Sequence, residues 1–274
     1  MSHHGHGSGL ASASKAHRIL RFVLVGSPNC GKTTLFNALT GLRAKTGNYP
    51  GVTVARYEGR HRVGEADVII EDLPGTYSLE AISPDEEVVS QVLGDGVSVG
   101  SPITGQIVLL DATSLRRSLT LLSHVQQVSR PTLVVLTFTD ELARRGGSID
   151  IKALSRAIGV RVIPIVAGDR AGVEELSEAL SSVDSWPAPI VPPPIGQSDV
   201  FSWSASVLEA AHYREADTDR RSRGIDRVLL HPLWGTLVFF ATMFAFFQII
   251  FTVAAPINDA FENFFVWLGG VAKD

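Results

Sequence analysis

Gly26-Ser27-Pro28-Asn29-Cys30-Gly31-Lys32-Thr33-Thr34 constrains this chain more than any other stretch. Its first eight residues fit the pattern G-x-x-x-x-G-K-[ST]. Residues 18–25 before it read as a buried strand, and residues 34–40 after it as a helix closed by Gly41. Strand, glycine loop and helix start are the context this pattern needs. Backbone N–H groups of such a loop, with the positive end of the helix, cradle a polyphosphate. Lys32 reaches the β- and γ-phosphates, and the Thr33 hydroxyl binds Mg²⁺. The expectation is a nucleoside triphosphate site. Cys30 is the only cysteine. It reads as a small residue that suits the loop, and no intrachain disulfide can form.

From 18 to 180 the chain alternates between strand-like and helix-like segments. Apolar runs rich in Val and Ile lie at 19–25, 67–70, 107–110, 132–136 and 160–166, as buried parallel strands do. Helical patterns lie at 115–128, 151–158 and 174–181. This order predicts an α/β fold, a mostly parallel sheet with helices on both faces. Ligand is expected at the carboxyl ends of the strands.

Four further stretches narrow the nucleotide. Asp72-Leu-Pro-Gly75 follows the apolar run 68–70, about 40 residues after Lys32. An acid there holds Mg²⁺ through water, and Gly75 leaves room for its N–H to approach the γ-phosphate. Gly47-Asn-Tyr-Pro-Gly51-Val52-Thr53-Val54 reads as a mobile loop, in which the Thr53 hydroxyl is a second Mg²⁺ ligand and its N–H a γ-phosphate donor. Loss of that phosphate would release such a loop. Asp140 follows the run 133–136 and accepts hydrogen bonds from the N1–H and 2-amino group of guanine. Ala167 supplies a backbone N–H to the base oxygen. The constellation is that of a P-loop GTPase.

On these residues the chain resembles the N-terminal part of the FeoB-type ferrous iron transporters. The resemblance is carried by 26–37, 47–54, Asp72-Leu-Pro-Gly-Thr-Tyr-Ser-Leu79, Asp140-Glu-Leu-Ala-Arg-Arg-Gly146 and Ile225-Asp-Arg-Val-Leu-Leu-His-Pro-Leu-Trp-Gly235, and covers about 18–265. It implies binding of GTP and GDP, and slow hydrolysis, because Thr76 stands where many small GTPases carry a glutamine. It further implies a K⁺ ion held by Asn29 that neutralises transition-state charge. Fe²⁺ is the implied transported ion. The remaining transporter helices, other FeoB-like chains and small cytoplasmic accessory proteins are the implied partners.

Three departures from that family's pattern bear on function. The guanine motif, usually N-x-x-D, is Thr137-Phe-Thr-Asp140 here. Threonine is shorter than asparagine, so neither a bond to base N7 nor a tie to the phosphate loop is expected, and base choice should relax. Only about 45 residues, 183–227, stand where the family has a helical domain that supports the nucleotide domain. One apolar run stands where the family has many membrane helices. One span cannot enclose a path for Fe²⁺, so the chain is expected to belong to a longer transporter or to work with other chains.

That run is 233–255, between Pro232 and Pro256, with no charged residue. A bilayer core of ~30 Å needs about 20 apolar residues as a helix, so a transmembrane helix is expected over 228–256. Arg214, Arg220, Arg221, Arg223 and Arg227 precede it and Lys273 alone follows. Positive charge stays inside, so the N-terminal domain is expected in the cytoplasm, at the bacterial inner membrane. The aromatic tail 257–274 suits the membrane interface or packing on other protein. Pro187, Pro189 and 192–194 predict a stiff linker before a short helical region at 200–216. The tail 1–17 reads as disordered, and His3, His4 and His6 in it as a tag, a solvated tail or a loose metal site. The expected domains are therefore 1–17, a GTPase domain 18–182, a linker and helical region 183–227, the membrane segment and the tail. A net charge of −4 gives no support for a nucleic-acid surface. His231 with Asp226, and Glu58, His61 and Glu65, read respectively as a helix start and a solvated hairpin face. The leading reading is the GTPase part of a ferrous iron uptake system. A membrane-tethered G-protein switch, or a P-loop ATPase of relaxed base choice, are the other two.

Overall fold

A computed structural model describes residues 19–42, 44–64, 66–79, 83–98, 100–166, 168–189, 192–216 and 229–271, with backbone alone beyond 252. Ala167, Glu65, Asp226, the tail 1–17 and the segment 217–228 lie outside the described residues.

The apolar runs become strands because both of their faces are covered. Strands β1 (Ile19–Gly26), β4 (Ala66–Asp72), β7 (Gly105–Asp111), β8 (Thr132–Thr137) and β9 (Val162–Ile165) form the parallel part of a seven-stranded sheet. The order is β2-β3-β4-β1-β7-β8-β9, where β2 (Ala44–Asn48) and β3 (Ala55–Val63) add an antiparallel edge. Alternate residues face opposite sides. Val23, Val25, Val108, Leu110, Val134 and Leu136 bury on one face, and Phe22, Leu24, Ile107, Leu109, Leu133 and Val135 on the other.

Helices α1 (Lys32–Thr40), α2 (Pro84–Asp95), α3 (Leu115–Val125), α4 (Thr139–Arg144), α5 (Ile151–Ile158) and α6 (Arg170–Ser181) accompany the sheet. A small hairpin pairs β5 (Val97–Ser98) with β6 (Ser101–Pro102). Sequence periodicity does not single out α2, α4 or the edge strands. The β2 and β3 strands carry mixed polar residues at a sheet edge, where the apolar alternation is weak. Gly47 and Asn48 lie in β2, so the loop expected over 47–54 is shorter than its composition suggests.

Residues 183–189 and 192–216 pack onto this layer. The Trp186 indole N–H donates to the Ala179 carbonyl at 2.9 Å, and its ring stacks 5.5 Å from that of Phe22. The Gln127 amide donates to the Pro193 carbonyl at 2.6 Å, so part of the proline-rich segment is tied down. Helix α7 (Gln197–Ala210) lies against α3 and α5, and the Tyr213 hydroxyl donates to the Ala112 carbonyl at 2.9 Å. One compact unit thus runs to Ala216, and the described residues 229–271 belong to a second.

In that second unit, α8 (Pro232–Val271) is 40 residues long and does not stop at Pro256. His231 caps it, its Nδ1 accepting from the N–H groups of Leu233 at 3.2 Å and Trp234 at 3.4 Å. Pro232 at the first position needs no partner for a missing N–H. The portion Pro232–Thr252 is long and apolar enough to cross a membrane. Phe239, Phe240, Phe244 and Phe251 on it are exposed.

Candidate functional site

The sheet register brings the candidate residues to one edge. Leu24 pairs with Asp72, Gly26 with Leu109, Asp111 with Thr137, and Thr137 with Ile165. These strands are parallel, so their carboxyl ends line up, and the 26–31 loop leaves the sheet among them.

The loop prepares a seat for an anion. Asn29 and Gly31 take left-handed backbone angles, with φ of 63° and 89°. Asparagine and glycine are the residues that tolerate this. Helix α1 starts after Gly31 with no side-chain cap, whereas Ser83, Asp150 and Asp169 cap α2, α5 and α6. The N–H groups of its first turn are therefore open to a ligand, at the positive end of the helix. Ser27 and Lys32 are buried, Pro28, Thr33 and Thr34 are more open, and Cys30 is buried beneath the loop. Burial pushes the Cys30 thiol up, although Lys32 nearby opposes this. It stays a neutral packing group.

Lys32, Thr33 and Asp72 converge. The Lys32 ammonium lies 3.7 Å from Asp72 Oδ1, and the Thr33 hydroxyl donates to Asp72 Oδ2 at 3.3 Å. Asp72 is 7% exposed, and its Oδ1 is buried without a hydrogen-bond partner. Burial pushes the Asp72 carboxyl up, while Lys32 and Thr33 pull it down. A hydroxyl and a carboxylate held together, one carboxylate oxygen without a hydrogen bond, are hard oxygen donors of the kind Mg²⁺ takes. The residues present fit that ion.

The segment after Asp72 is laid on the phosphate loop. Leu73 N–H donates to the Leu24 carbonyl at 3.2 Å, and Thr76 N–H to the Gly26 carbonyl at 3.1 Å. A Cβ at Gly75 would sit 3.0 Å from the Pro28 N and Cα, a tight contact that would push the Pro28 backbone away, so glycine suits this close approach. Thr76 is 1% exposed, and its hydroxyl is committed to the Ser78 carbonyl.

At the base end the threonine behaves differently from expectation. The Thr137 hydroxyl lies 2.9 Å from the Cys30 carbonyl and 3.2 Å from that of Leu110. It ties the motif to the phosphate loop despite its length, because β8 brings its backbone close enough for the short side chain. Phe138 turns left-handed, with φ of 58°, and starts α4. Asp140 lies exposed in the first turn of α4. A cleft of about 100 Å³ opens beside this motif, lined by Gly31, Thr34, Thr137, Phe138, Val166 and Gly168 among others.

Thr53 is not brought to this cluster. It is exposed and lines a shallow recess with Gly51, Val52 and Pro84. Glu58 is no solvated hairpin residue: it pairs with Arg21 at 3.1 Å and with Arg56, at 15% side-chain exposure. His61 Nε2 meets Ser177 Oγ at 2.9 Å, and burial lowers the His61 pKa. Sequence reasoning missed Glu71 and Tyr49, both buried and joined at 2.7 Å. The available signal was a carboxylate at the end of the apolar strand Val68-Ile-Ile-Glu71, since Glu is almost never fully buried unless paired.

Comparison with known proteins agrees with this geometry. The family model described as ferrous iron transport protein B matches residues 20–180. An Fe(2+) transporter FeoB from Leptospira biflexa is 41% identical over 163 residues, 60% of this chain and 23% of that one. One from Synechocystis is 30% identical over 258 residues, 90% of this chain and 41% of that one. The chain therefore spans less than half the length of either relative. The solved G domain of T. maritima FeoB is 32% identical with a TM-score of 0.56, over 61% of this chain and 100% of that one. A mutant of S. thermophilus NFeoB solved bound to GDP is 30% identical with a TM-score of 0.56, over 65% of this chain and 66% of that one. With its phosphate loop, its Asp72-Leu-Pro-Gly75 segment and this match over most of the sheet, the chain belongs to the FeoB family of ferrous iron transport proteins and carries that family's N-terminal G domain.

Proposed function

We propose that the chain binds GTP and hydrolyses it slowly with help from K⁺, as the nucleotide-binding part of a ferrous iron uptake system in the bacterial inner membrane. The observation that carries this reading is the convergence of Lys32, Thr33 and Asp72 beside the uncapped start of α1. Gly26, Ser27, Pro28, Asn29, Cys30, Gly31 and Thr34 wrap the phosphates through their backbone. Lys32 leaves Asp72 for the β- and γ-phosphate oxygens, and Thr33 and Asp72 hold Mg²⁺, Asp72 through water. Bound Mg²⁺ supplies neutralisation of the charge that builds on the phosphates. Gly75 presents its N–H to the γ-phosphate, and Thr53 joins the site when the Gly51-Val52-Thr53 loop swings in. Asn29 holds K⁺, as the family resemblance implies. With the Thr76 hydroxyl committed elsewhere, backbone groups place the attacking water, so turnover is slow.

Asp140 reads the guanine edge, with Ala167 on the base oxygen. The Thr137 hydroxyl has one hydrogen, which the Cys30 and Leu110 carbonyls already take. None is left for base N7, and that observation favours a modest rather than strict preference for GTP. Displacement of labelled GTP by unlabelled ATP tests it, and equal potency of the two would overturn the guanine reading. For the uptake role, the gene restores iron uptake to a transport-deficient bacterium, and Lys32→Ala abolishes the rescue. Uptake by Lys32→Ala at the unaltered rate would instead favour transport independent of the nucleotide. The apolar portion of α8 spans the membrane, the remaining transporter helices or other FeoB-like chains complete the Fe²⁺ path, and small cytoplasmic proteins accompany it.

A further inference from the structure

Glu71 is fully buried and gathers contacts from four separate parts of the chain. Its carboxylate accepts from the Tyr49 hydroxyl at 2.7 Å, Ser98 Oγ at 2.6 Å, Arg56 Nε at 3.3 Å and Arg21 Nη1 at 3.2 Å. Both arginines also meet Glu58. Two guanidinium groups thus balance two carboxylates in a knot that is 0–17% exposed. Buried charges persist only when paired and hydrogen-bonded in this way. Burial and the Glu71 carboxylate push the Tyr49 phenol up, so it remains a donor.

The knot borders the 50–53 loop, whose exposed Thr53 stands outside the Lys32–Thr33–Asp72 cluster. Tyr49 is 5% exposed and follows the end of β2. Its N–H donates to the Val54 carbonyl at 3.1 Å, and Val54 is 9% exposed. Both ends of the 50–53 segment are therefore held, while Gly51 and Thr53 within it are exposed. Gly51 has φ of 81°, a backbone state open to glycine, and is the natural pivot. The Thr53 Cα stays about 3.8 Å from that of Val54 whatever the loop does. The position of the anchor thus sets where Thr53 arrives.

We propose that Glu71 is a positioning residue for Thr53: through Tyr49 and Arg56 it ties both ends of the 50–53 loop to the strand that ends in Asp72. Loop and metal-binding carboxylate then share one frame, and Thr53 swings onto the γ-phosphate side at a defined radius. The inference rests on the reading of Thr53 as a ligand in the triphosphate state. GDP has no γ-phosphate, so its binding does not need the anchor, and this separates positioning from mere support of the fold.

The test uses the full chain with fluorescent GDP and a fluorescent non-hydrolysable GTP analogue, each with Mg²⁺. Tyr49→Phe keeps the ring and removes the bond to Glu71. It is expected to weaken the analogue about tenfold while GDP affinity stays within about twofold, and to lower kcat more than it raises KM. Glu71→Gln is expected to act the same way more strongly; if it does not fold, Tyr49→Phe decides alone. Equal weakening of both nucleotides, or no change in either, would overturn the proposal and leave the knot a support of the sheet edge. Thr53→Ala in the same assay reads the underlying assumption. If Thr53→Ala spares analogue binding, the ligand role of Thr53 fails and the anchor with it. If Thr53→Ala loses the analogue and Tyr49→Phe does not, the anchor alone is wrong.

Discussion

The Thr137 hydroxyl donates to the Cys30 carbonyl at 2.9 Å, and so couples the Thr137–Asp140 segment directly to the phosphate loop. If the Thr137–Asp140 segment reads the base, as proposed, this bond makes base and phosphate recognition depend on each other. Thr137→Val keeps the shape and removes the donor, at a cost of about 1–2 kcal/mol. Nucleotide affinity should fall about tenfold for GTP and ATP alike. Thr137→Asn adds a second N–H donor, one for Cys30 and one for base N7. Competition titration should then show the GTP-over-ATP ratio rising several-fold above that of the unaltered chain.

Asp72 carries a cost of a different kind. Burial raises its carboxyl pKa despite Lys32, so the folded chain holds this proton more tightly than the unfolded chain does. A raised folded pKa contributes stability that is present below the unfolded value of ~3.9 and lost as pH rises through the folded one. At neutral pH the ionised Asp72 therefore destabilises the ligand-free chain. Asp72→Asn should melt higher than the unaltered chain at pH 7, with the gap closing below about pH 4. The same variant should lose the Mg²⁺ dependence of nucleotide binding. Thermal melts across pH, with and without Mg²⁺, check both halves.

Gly75→Ala puts a Cβ 3.0 Å from backbone atoms of Pro28, which cannot rotate away as a side chain tip would. Overpacking of this kind costs about 1–3 kcal/mol. The melting temperature should drop by roughly 2–4 °C per kcal/mol. Hydrolysis should suffer more than GDP binding, because the shift would move the N–H proposed to meet the γ-phosphate.

Asn29 sits exposed at a left-handed turn of the loop, where its side chain is available to a cation. Hydrolysis should run faster in KCl than in NaCl at equal ionic strength. Asn29→Ala should bring the two rates together, and equal rates in the unaltered chain would remove the K⁺ role.

The apolar portion of α8 has 21 residues, which at about 1.5 Å each matches a bilayer core of ~30 Å. Phe244 lies midway along it, exposed. Phe244→Arg should raise the insertion free energy by about 3 kcal/mol. Vesicle flotation of the full chain should show that variant shifted to the soluble fraction.

Much of the site was legible because its parts are local. A phosphate loop is a strand, a short glycine-bearing turn and a helix in unbroken succession, and Asp72-Leu-Pro-Gly75 closes a strand in the same way. The amino-acid order also marked the apolar strands and the apolar part of α8, where one residue class runs without interruption. Helix α2 stayed hidden although Ser83 and Glu86 form a capping box at its start, since its apolar face is short and its first turn holds Pro84 and three acidic residues.

What the order of residues determined by itself was the phosphate seat, the alternation of strands and helices, and the apolar segment of α8. Tertiary structure alone decided that Thr137 reaches Cys30 across 107 positions of sequence. It also decided that Glu71 binds Tyr49, Arg56, Ser98 and Arg21 at once, and that Thr53 stands outside the Lys32–Thr33–Asp72 cluster. The physical reason is that a hydrogen bond between distant segments depends on sheet register and strand order. Those follow from how two faces of apolar residues are buried together, and no short stretch of the chain encodes them.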